Sequence, residues 1–333
     1  METLLLGPDD VAESAQLPEV IDAVEGAFGA YARGATQMPA KSYIDLPQYD
    51  GDFRSMPAYI DAREGAGEDW EAAGVKWVNS HPDNPDRHAL PTVMGTVIYS
   101  DPETALPLAL MDGTGLTRLR TGAAAAVATD YLARADAASL GLVGAGIQAY
   151  TQLEAIAEVR DIQTVVVADV DREAVREFVD RYSEQFDVRE GTTAEAATCD
   201  VVSTTTPVRE PVVGEAGDHT HVNAMGADAE GKHEIADEVL QRATLVIDDY
   251  EQCTHSGEIN VPWREGLLDD DDLYGELGDV VAGTTEDRTA GDGVTLFDST
   301  GLAIQDVAAA HVVYGHASEH GVGTEFPLVG TET

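Results

Sequence analysis

Hydrophobic and polar residues follow two different periods in the first part of this chain, and the change of period predicts the order of its elements. From Asp9 to Ala32 the apolar positions recur largely at helical spacing, which predicts two helices. From Pro39 to Val97 short alternating runs are separated by turns rich in Pro, Gly and Asn, a pattern typical of a mostly antiparallel sheet. An alanine-rich run from Thr121 to Ala133 predicts a further helix.

The second half of the chain follows another pattern, in which short apolar runs alternate with helical or loop segments. The apolar runs are Ser139–Val143, Thr164–Asp169, Asp200–Thr204, His221–Ala224, Thr244–Asp248 and Val294–Asp298. Helical patterns cover Arg172–Tyr182, Ile235–Arg242 and, near the end, Ile304–Ala317. Strands that alternate with helices predict a parallel, doubly wound sheet.

A glycine-rich turn joins the first two of these apolar runs and predicts a dinucleotide site. Gly144 permits the tight turn, Gly146 lets the backbone approach a pyrophosphate, and the small Ala149 lets the following helix close on the sheet. That helix, predicted from Gln148 to Val159, offers unpaired N–H groups to the phosphates. Asp169 ends the second run, 23 residues beyond Gly146, where a carboxylate accepts hydrogen bonds from the ribose and repels a 2′-phosphate.

The charge of the chain predicts the ionic strength at which the protein folds. The 333 residues include 62 acids and 19 bases, for a net charge of −43, and the lysines are Lys41, Lys76 and Lys232. Such a chain repels itself at low ionic strength, whereas molar salt shortens the Debye length to about 3 Å. We therefore expect a cytoplasmic protein of a salt-rich cell. No basic stripe favours nucleic-acid binding, and no apolar run approaches the roughly 20 residues of a membrane span.

Three cations in the first part of the chain are candidates for substrate binding. Arg54 and Arg120 carry planar guanidinium groups that can grip a carboxylate with two hydrogen bonds, although each is equally compatible with a surface ion pair. Lys76 lies inside the apolar run from Gly74 to Val78. Burial there would lower its pKa toward a useful acid–base range, unless its stem packs while the ammonium reaches water.

Two segments beyond predicted strands are further candidates. Asp228 lies just past the carboxyl end of an apolar strand, where ligands gather in open α/β sheets, although a solvated aspartate is the ordinary alternative. The sequence Asp298-Ser299-Thr300-Gly301 closes another strand and could meet a nicotinamide or form a capped turn. The histidines His81, His255 and His311 show no metal-ligand spacing, so no metal site is predicted.

Seven blocks in order along the chain resemble the ornithine cyclodeaminase/mu-crystallin family. They are Arg54-Ser55-Met56-Pro57-Ala58, Gly74-Val75-Lys76, Met111-Asp112-Gly113, Thr117-x-x-Arg120-Thr121-Gly122-Ala123, Gly144-Ala145-Gly146-Ile147-Gln148-Ala149, Asn223-Ala224-Met225-Gly226-Ala227-Asp228 and Gly301-Leu302-Ala303-Ile304-Gln305-Asp306. The resemblance implies an α/β protein in which a Rossmann domain, residues 121–303, is inserted in a discontinuous α+β domain, residues 1–120 and 304–333. That outer domain would bind substrate and form a homodimer.

The resemblance also assigns roles to individual residues. Arg54 and Arg120 match the positions that hold the substrate carboxylate, Lys76 matches an active-site lysine that also binds substrate, and Asp228 matches the catalytic aspartate. The expected cofactor is NAD, although Arg172 lies close enough to Asp169 to weaken the preference over NADP. The expected cofactor-binding residues are Thr121, Gly144, Gly146, Ile147, Gln148, Asp169, Arg172, Thr204, Met225, Gly226, Asp228, Ser299 and Gly301.

Within the family, three blocks look nearest to the alanine dehydrogenases: Met56-Pro57-Ala58, Asn79-Ser80-His81-Pro82-Asp83-Asn84 and Arg120-Thr121-Gly122-Ala123. That likeness implies conversion of L-alanine, NAD and water to pyruvate, ammonia and NADH. The alternative is an ornithine cyclodeaminase, which needs a carboxylate for the distal ammonium of its substrate. Candidates for that carboxylate are Asp61, Glu64, Glu68, Asp69 and Glu71. A third possibility is a mu-crystallin-like protein that binds cofactor and a small ligand with little turnover, although the presence of both Lys76 and Asp228 argues for catalysis.

Overall fold

The structure is a computed structural model that describes residues 2–63, 69–285 and 293–330. The chain divides into two compact units, of which the first comprises Met1–Arg120 and Leu302–Thr333 and the second comprises Thr121–Gly301. None of the helices in the described ranges has the length and the apolar composition that crossing a membrane requires.

The first unit begins with a short strand, two helices and a run of strands, and strands and helices mostly alternate from Ser139 onward. The first part holds β1 (Thr3–Leu6), α1 (Pro8–Ser14), α2 (Leu17–Ala32), β2 (Thr36–Gln37), β3 (Ser42–Leu46), β4 (Gly51–Asp61), β5 (Glu71–Ser80), α3 (Asn84–His88), β6 (Val93–Ser100), β7 (Pro107–Asp112) and α4 (Gly113–Leu132). The middle holds β8 (Ser139–Val143), α5 (Ile147–Val159), β9 (Thr164–Ala168), α6 (Arg172–Tyr182), β10 (Asp187–Glu190), α7 (Thr193–Ala196), β11 (Val201–Thr204), β12 (His221–Ala224), α8 (Asp237–Leu240), β13 (Thr244–Ile247), α9 (Tyr250–Ser256), α10 (Asn260–Glu265), β14 (Leu273–Glu276), α11 (Leu277–Val281) and β15 (Thr295–Asp298). The last elements are α12 (Ala303–His320) and β16 (Thr324–Phe326).

The first unit is built on a mixed sheet with the strand order β16-β1-β7-β6-β5-β4-β2, and β3 also pairs with β4. Strands β4 to β7 pair antiparallel, as the alternating runs predict. The helix α12 packs on α2 and on strands β4 and β5 of this sheet. Because most of its residues are buried, α12 can carry polar groups into the interior of the unit.

The second unit is built on a parallel sheet with the strand order β10-β9-β8-β11-β12-β15-β13-β14. From β8 the order runs to β9 and β10 on one side and to β11 and β12 on the other, which makes β8 and β11 the point where a doubly wound sheet reverses. The expected α/β fold with a Rossmann sheet is therefore confirmed.

Two predicted helices differ from the structure by more than a turn in their extent, and α12 runs three residues beyond its predicted end, to His320. The helix predicted from Thr121 to Ala133 begins eight residues earlier, at Gly113, as α4. Its first turn contains Gly113 and Gly115, which disfavour a helix in isolation, but the Asp112 carboxylate accepts the N–H groups of Thr114 at 3.2 Å and Gly115 at 2.8 Å. The segment predicted from Ile235 to Arg242 is helical only over Asp237–Leu240, because Ile235 forms a β-bridge with Val213.

Candidate functional site

Lys76 is buried in the sheet of the first unit, with 2% of its surface exposed. It pairs with Met56 on β4 and with Val97 on β6, and both of these neighbours are buried. Paired residues of a sheet share a face, and so do alternate residues of one strand. Arg54 therefore lies on the same face as Lys76, because it is two residues from Met56.

The acidic partner of Lys76 comes from the far end of the chain. Lys76 Nζ lies 2.8 Å from Asp306 Oδ1 and 2.7 Å from Asp306 Oδ2, on the helix α12. Arg120 Nε donates to the same Oδ1 atom at 3.2 Å, and another of its nitrogens donates to Gln305 Oε1 at 3.0 Å. Asp306 and Gln305 are fully buried. We call Lys76, Arg120, Gln305 and Asp306 the cation cluster.

The cation cluster is suited to an anion. Lys76 in its ammonium form and Arg120 share one carboxylate, so the cluster carries a net positive charge inside a chain of net charge −43. Burial lowers the pKa of Lys76 to about 8, the Asp306 carboxylate acts in the opposite direction, and Arg120 adds to the lowering. Lys76 can therefore hold or release a proton near neutral pH.

Arg54 is held by a different acid. Its guanidinium donates two hydrogen bonds to Asp52, from Nε to Oδ1 and from Nη2 to Oδ2, each at 3.0 Å. It also lies over the ring of Tyr43, with 5.6 Å between Cζ and the ring centroid. The structure thus places Arg54 on the same face of the sheet as Lys76 and pairs it with Asp52, whereas Arg120 belongs to the cation cluster.

In the second unit, most of the residues expected to bind the cofactor follow parallel strands whose carboxyl ends lie side by side. The residues Ala168, Val143, Thr204, Ala224 and Asp298 are successive partners across β9, β8, β11, β12 and β15. The segments that follow these strand ends, including Gly144–Gln148, Asp169, Met225–Asp228 and Ser299–Gly301, therefore start from the same edge of the sheet. This is the edge at which ligands bind in open parallel sheets.

The glycine turn has the geometry that a dinucleotide phosphate requires. Gly144 has φ +103°, and a Cβ there would lie 2.9 Å from Thr205 Oγ1, so only glycine fits. A Cβ on Gly146 would meet nothing within 4 Å, which leaves its backbone open at the start of the 13-residue helix α5. Asp169 Oδ2 accepts the N–H of Ala145 at 2.6 Å and so ties the acidic residue to the turn. These residues fit NAD, because the glycine turn would hold its phosphates and Asp169 would accept hydrogen bonds from its ribose. Arg172 is exposed at the start of α6.

Two buried acids that the sequence did not single out shape this edge. Glu234 accepts Thr204 Oγ1 at 2.7 Å, the Thr206 N–H at 2.7 Å and the Gly226 N–H at 3.0 Å. Asp248 accepts Ser299 Oγ and the Gly301 N–H, both at 2.9 Å. The side chains of Thr204 and Ser299 are therefore engaged within the protein. Burial raises the pKa of Glu234, and the hydrogen bonds from Thr206 and Thr204 oppose that rise.

Three of the remaining expected residues, Asp228, Thr121 and Met225, have defined partners. Asp228 Oδ1 lies 2.5 Å from Lys232 Nζ, and the Asp228 side chain is 43% exposed. The Thr121 carbonyl accepts a hydrogen bond from Gln152 Nε2 at 3.3 Å, and Met225 N–H donates to the Thr204 carbonyl at 3.0 Å. Ile147 is 60% exposed at the first turn of α5, beside Gln148.

Comparison with known proteins identifies the group to which this chain belongs. Residues 1–321 match the ornithine cyclodeaminase/mu-crystallin family. The chain belongs to that family. It is 46% identical over 329 residues to an alanine dehydrogenase of Archaeoglobus fulgidus, and the match covers 98% of each chain. As a member of the ornithine cyclodeaminase/mu-crystallin family with such relatives, the protein is an enzyme.

Solved structures of the family share this fold. An archaeal alanine dehydrogenase dimer with bound NAD superposes with a TM-score of 0.92, at 45% identity, over 99% of this chain and 100% of the other. A Thermococcus litoralis Δ1-pyrroline-2-carboxylate reductase with NADH and L-proline gives a TM-score of 0.90, at 36% identity, over 97% and 99% of the two chains. Relatives with different substrates thus share one architecture.

Proposed function

We propose that this protein is an NAD-dependent oxidoreductase of amino acids, and specifically an alanine dehydrogenase that interconverts L-alanine with pyruvate and ammonia. The observation that carries the proposal is the cation cluster, which offers a net positive charge to a substrate carboxylate. The neighbours of Lys76 on both adjacent strands, Met56 and Val97, are apolar. Such surroundings suit the methyl group of alanine better than a second charged group.

The acids near β4 and β5 favour alanine over ornithine. Asp61 and Glu71 pair with each other and lie on the face of the sheet opposite Lys76, since each is an odd number of residues from Met56 or Lys76. Both bind the guanidinium of Arg63, at 2.8 Å and 2.9 Å. Neither is therefore placed to receive the distal ammonium of ornithine. Asp69 is exposed, and Glu64 and Glu68 lie outside the described residues.

The chain's own groups supply the acid–base part of this reaction. Gly144, Gly146 and Asp169 would hold NAD, which would supply the hydride acceptor needed to oxidise the amino acid to its imine. We propose that Arg120, with Arg54, holds the substrate carboxylate. Lys76 exchanges a proton with the substrate oxygen, and Asp228 takes a proton from the water that attacks the imine.

Asp169 is expected to make NAD the preferred cofactor. Replacing Asp169 with alanine should raise KM for NAD by on the order of tenfold, because a hydrogen bond to a charged group contributes about 1.5–3 kcal/mol. Asp169→Asn separates two effects, since it keeps an acceptor for the Ala145 N–H and removes the charge that repels a 2′-phosphate. Steady-state kinetics with NAD and NADP measure both. A wild-type preference for NADP that persists in Asp169→Ala would show that Asp169 does not select the cofactor.

We further propose that a second copy of the chain covers the outer face of the first sheet. Phe53, Pro57, Val75, Trp77 and Ile98 lie on the face opposite Lys76, and Trp77 is 42% exposed. The rings of Phe53 and Trp77 stack at 5.2 Å. An apolar surface of this kind is unusual on so acidic a chain and typical of an interface. The related archaeal structure is a dimer, and light scattering tests the same assembly here.

One pair of assays tests the substrate. In molar KCl, pyruvate, ammonium and NADH are expected to give a loss of absorbance at the NADH band, while L-ornithine with catalytic NAD gives no proline. Omitting ammonium is the matched control, since an alanine dehydrogenase then loses its nitrogen donor. Proline formation without pyruvate reduction would favour the ornithine cyclodeaminase. Tight NADH binding with neither activity would favour a mu-crystallin-like binding role.

A further inference from the structure

The loop that carries Asp228 also carries a lysine that contacts it. Lys232 Nζ lies 2.5 Å from Asp228 Oδ1 and 3.4 Å from the Gly226 carbonyl oxygen, so the side chain crosses the loop from one end to the other. The Lys232 side chain is 22% exposed, which leaves the contact partly shielded from water. Lysine occurs at three positions in this chain of 62 acids. A lysine on this particular aspartate therefore stands out from the acidic background.

The backbone of the loop is fixed on both sides of Asp228. Before it, the Gly226 N–H donates to Glu234 Oε2 at 3.0 Å. After it, the side chain of Asn260 accepts the Gly231 N–H and donates to the Lys232 carbonyl, each at 2.9 Å. Asn260 is 2% exposed. The backbone of Lys232 is thus held by a buried amide, which fixes the point from which its side chain reaches Asp228.

The other charged groups around the loop have their own partners. Arg209 donates to the Glu230 carbonyl at 3.1 Å, and Arg264 of α10 pairs with the Glu230 carboxylate at 2.6 Å. His233 lies 3.6 Å from Asp237 and from Glu258, and Glu258 accepts the backbone N–H groups of Glu234 and Ile235. Arg209, Arg264 and His233 thus each have a partner other than Asp228.

We propose that Lys232 is a positioning residue for Asp228, which holds the carboxylate in one orientation and in its ionised form. The inference rests on the proposed role of Asp228 as the group that takes a proton from water. A carboxylate must be ionised to accept that proton, and a cation in direct contact favours the ionised form. A lysine that spans the loop would also keep Asp228 from rotating toward bulk solvent, so that each turnover starts from the same geometry.

Replacing Lys232 with methionine tests this role, because methionine keeps much of the apolar stem and removes the charge. We expect kcat at neutral pH to fall by about tenfold or more, since positioned proton transfer contributes on the order of 10²–10⁴-fold and only part of it is lost. The acidic limb of the kcat profile should move to higher pH by about one unit, because the loss of an adjacent cation favours protonation of Asp228. Lys232→Arg, which keeps a cation, should restore most of the rate and the original limb.

Arg264→Met is the matched control. It removes one positive charge from the same loop region at its contact with Glu230, without touching Asp228. Its pH profile should match that of the wild type. NADH affinity, measured by fluorescence titration, and the midpoint of thermal unfolding should change little in all three variants. These two readouts separate a positioning role from a loss of fold.

The results that would overturn the proposal differ from those that would overturn the proposed function. If Asp228→Asn is inactive but Lys232→Met keeps the wild-type kcat and pH profile, Lys232 does not act on Asp228. If the acidic limb of the kcat profile shifts equally in Arg264→Met, the effect arises from the loss of any nearby positive charge and not from the contact with Asp228. If Lys232→Met and Lys232→Arg lose activity and NADH binding to the same extent, the role of Lys232 is structural. If Asp228→Asn itself turns over normally, the role of Asp228 in the proposed function is wrong.

Discussion

Replacing Lys76 with methionine is expected to lower kcat by about 10²–10⁴-fold, the range that a positioned acid–base group contributes. Lys76 is 2% exposed and bound to Asp306, and methionine fills a similar volume without a proton to transfer. Steady-state kinetics of pyruvate amination measure the loss. NADH affinity should survive, since the glycine turn belongs to the second unit.

Lys76→Arg is the control that separates charge from proton transfer. Arginine keeps a cation beside Asp306 but stays protonated at every accessible pH, so it cannot cycle a proton. We expect this variant to be nearly as slow as Lys76→Met. Near-normal kcat in Lys76→Met would show that Lys76 is structural, and recovery in Lys76→Arg would show that only its charge matters.

The pH dependence of the wild type should differ between the two directions of the reaction. Burial lowers the pKa of Lys76 to about 8, so the side chain is an ammonium below that pH and an amine above it. Pyruvate amination needs a proton donor and is expected to slow as the pH rises through this value. Alanine oxidation needs an acceptor and should accelerate over the same range. If the rates of amination and oxidation both rise, or both fall, as the pH passes through this value, the ionisation belongs to a group other than Lys76.

Transfer from molar to millimolar KCl is expected to unfold the protein. The 62 acids cannot all be paired by 19 bases, so folding brings unbalanced negative charge together. The Debye length is about 3 Å at 1 M salt and about 30 Å at 0.01 M, so only concentrated salt screens neighbouring carboxylates. Circular dichroism and activity, followed along a KCl series, measure this loss.

Sucrose is the matched control for the salt series. It stabilises folded proteins by exclusion from their surface but does not screen charge, so it should replace KCl only in part. Full helical signal and activity at low ionic strength would show that the salt requirement is wrong. Equal protection by sucrose would show that screening is not its cause.

Features of this protein whose physical causes are local can be predicted from the amino-acid sequence alone. The runs around β8 and β9, the glycines between them and the period of α5 depend on neighbours within about 30 residues, so the Rossmann unit was predicted and is confirmed. The seven blocks identified the family for the same reason, because each consists of adjacent residues. The start of α4 was missed because its glycines oppose a helix locally, and capping by Asp112 overrides them.

The partners of the candidate residues were decided only by the tertiary structure. Lys76 and Asp306 are 230 positions apart, and no periodicity in the sequence connects them. In a chain with 62 acids, residue type cannot separate Asp306 or Glu234 from solvated carboxylates, whereas burial separates them at once. The face on which Asp61 and Glu71 lie depends on strand register, which pairing across the sheet sets. Local patterns specify elements, and packing between distant elements specifies which charges meet.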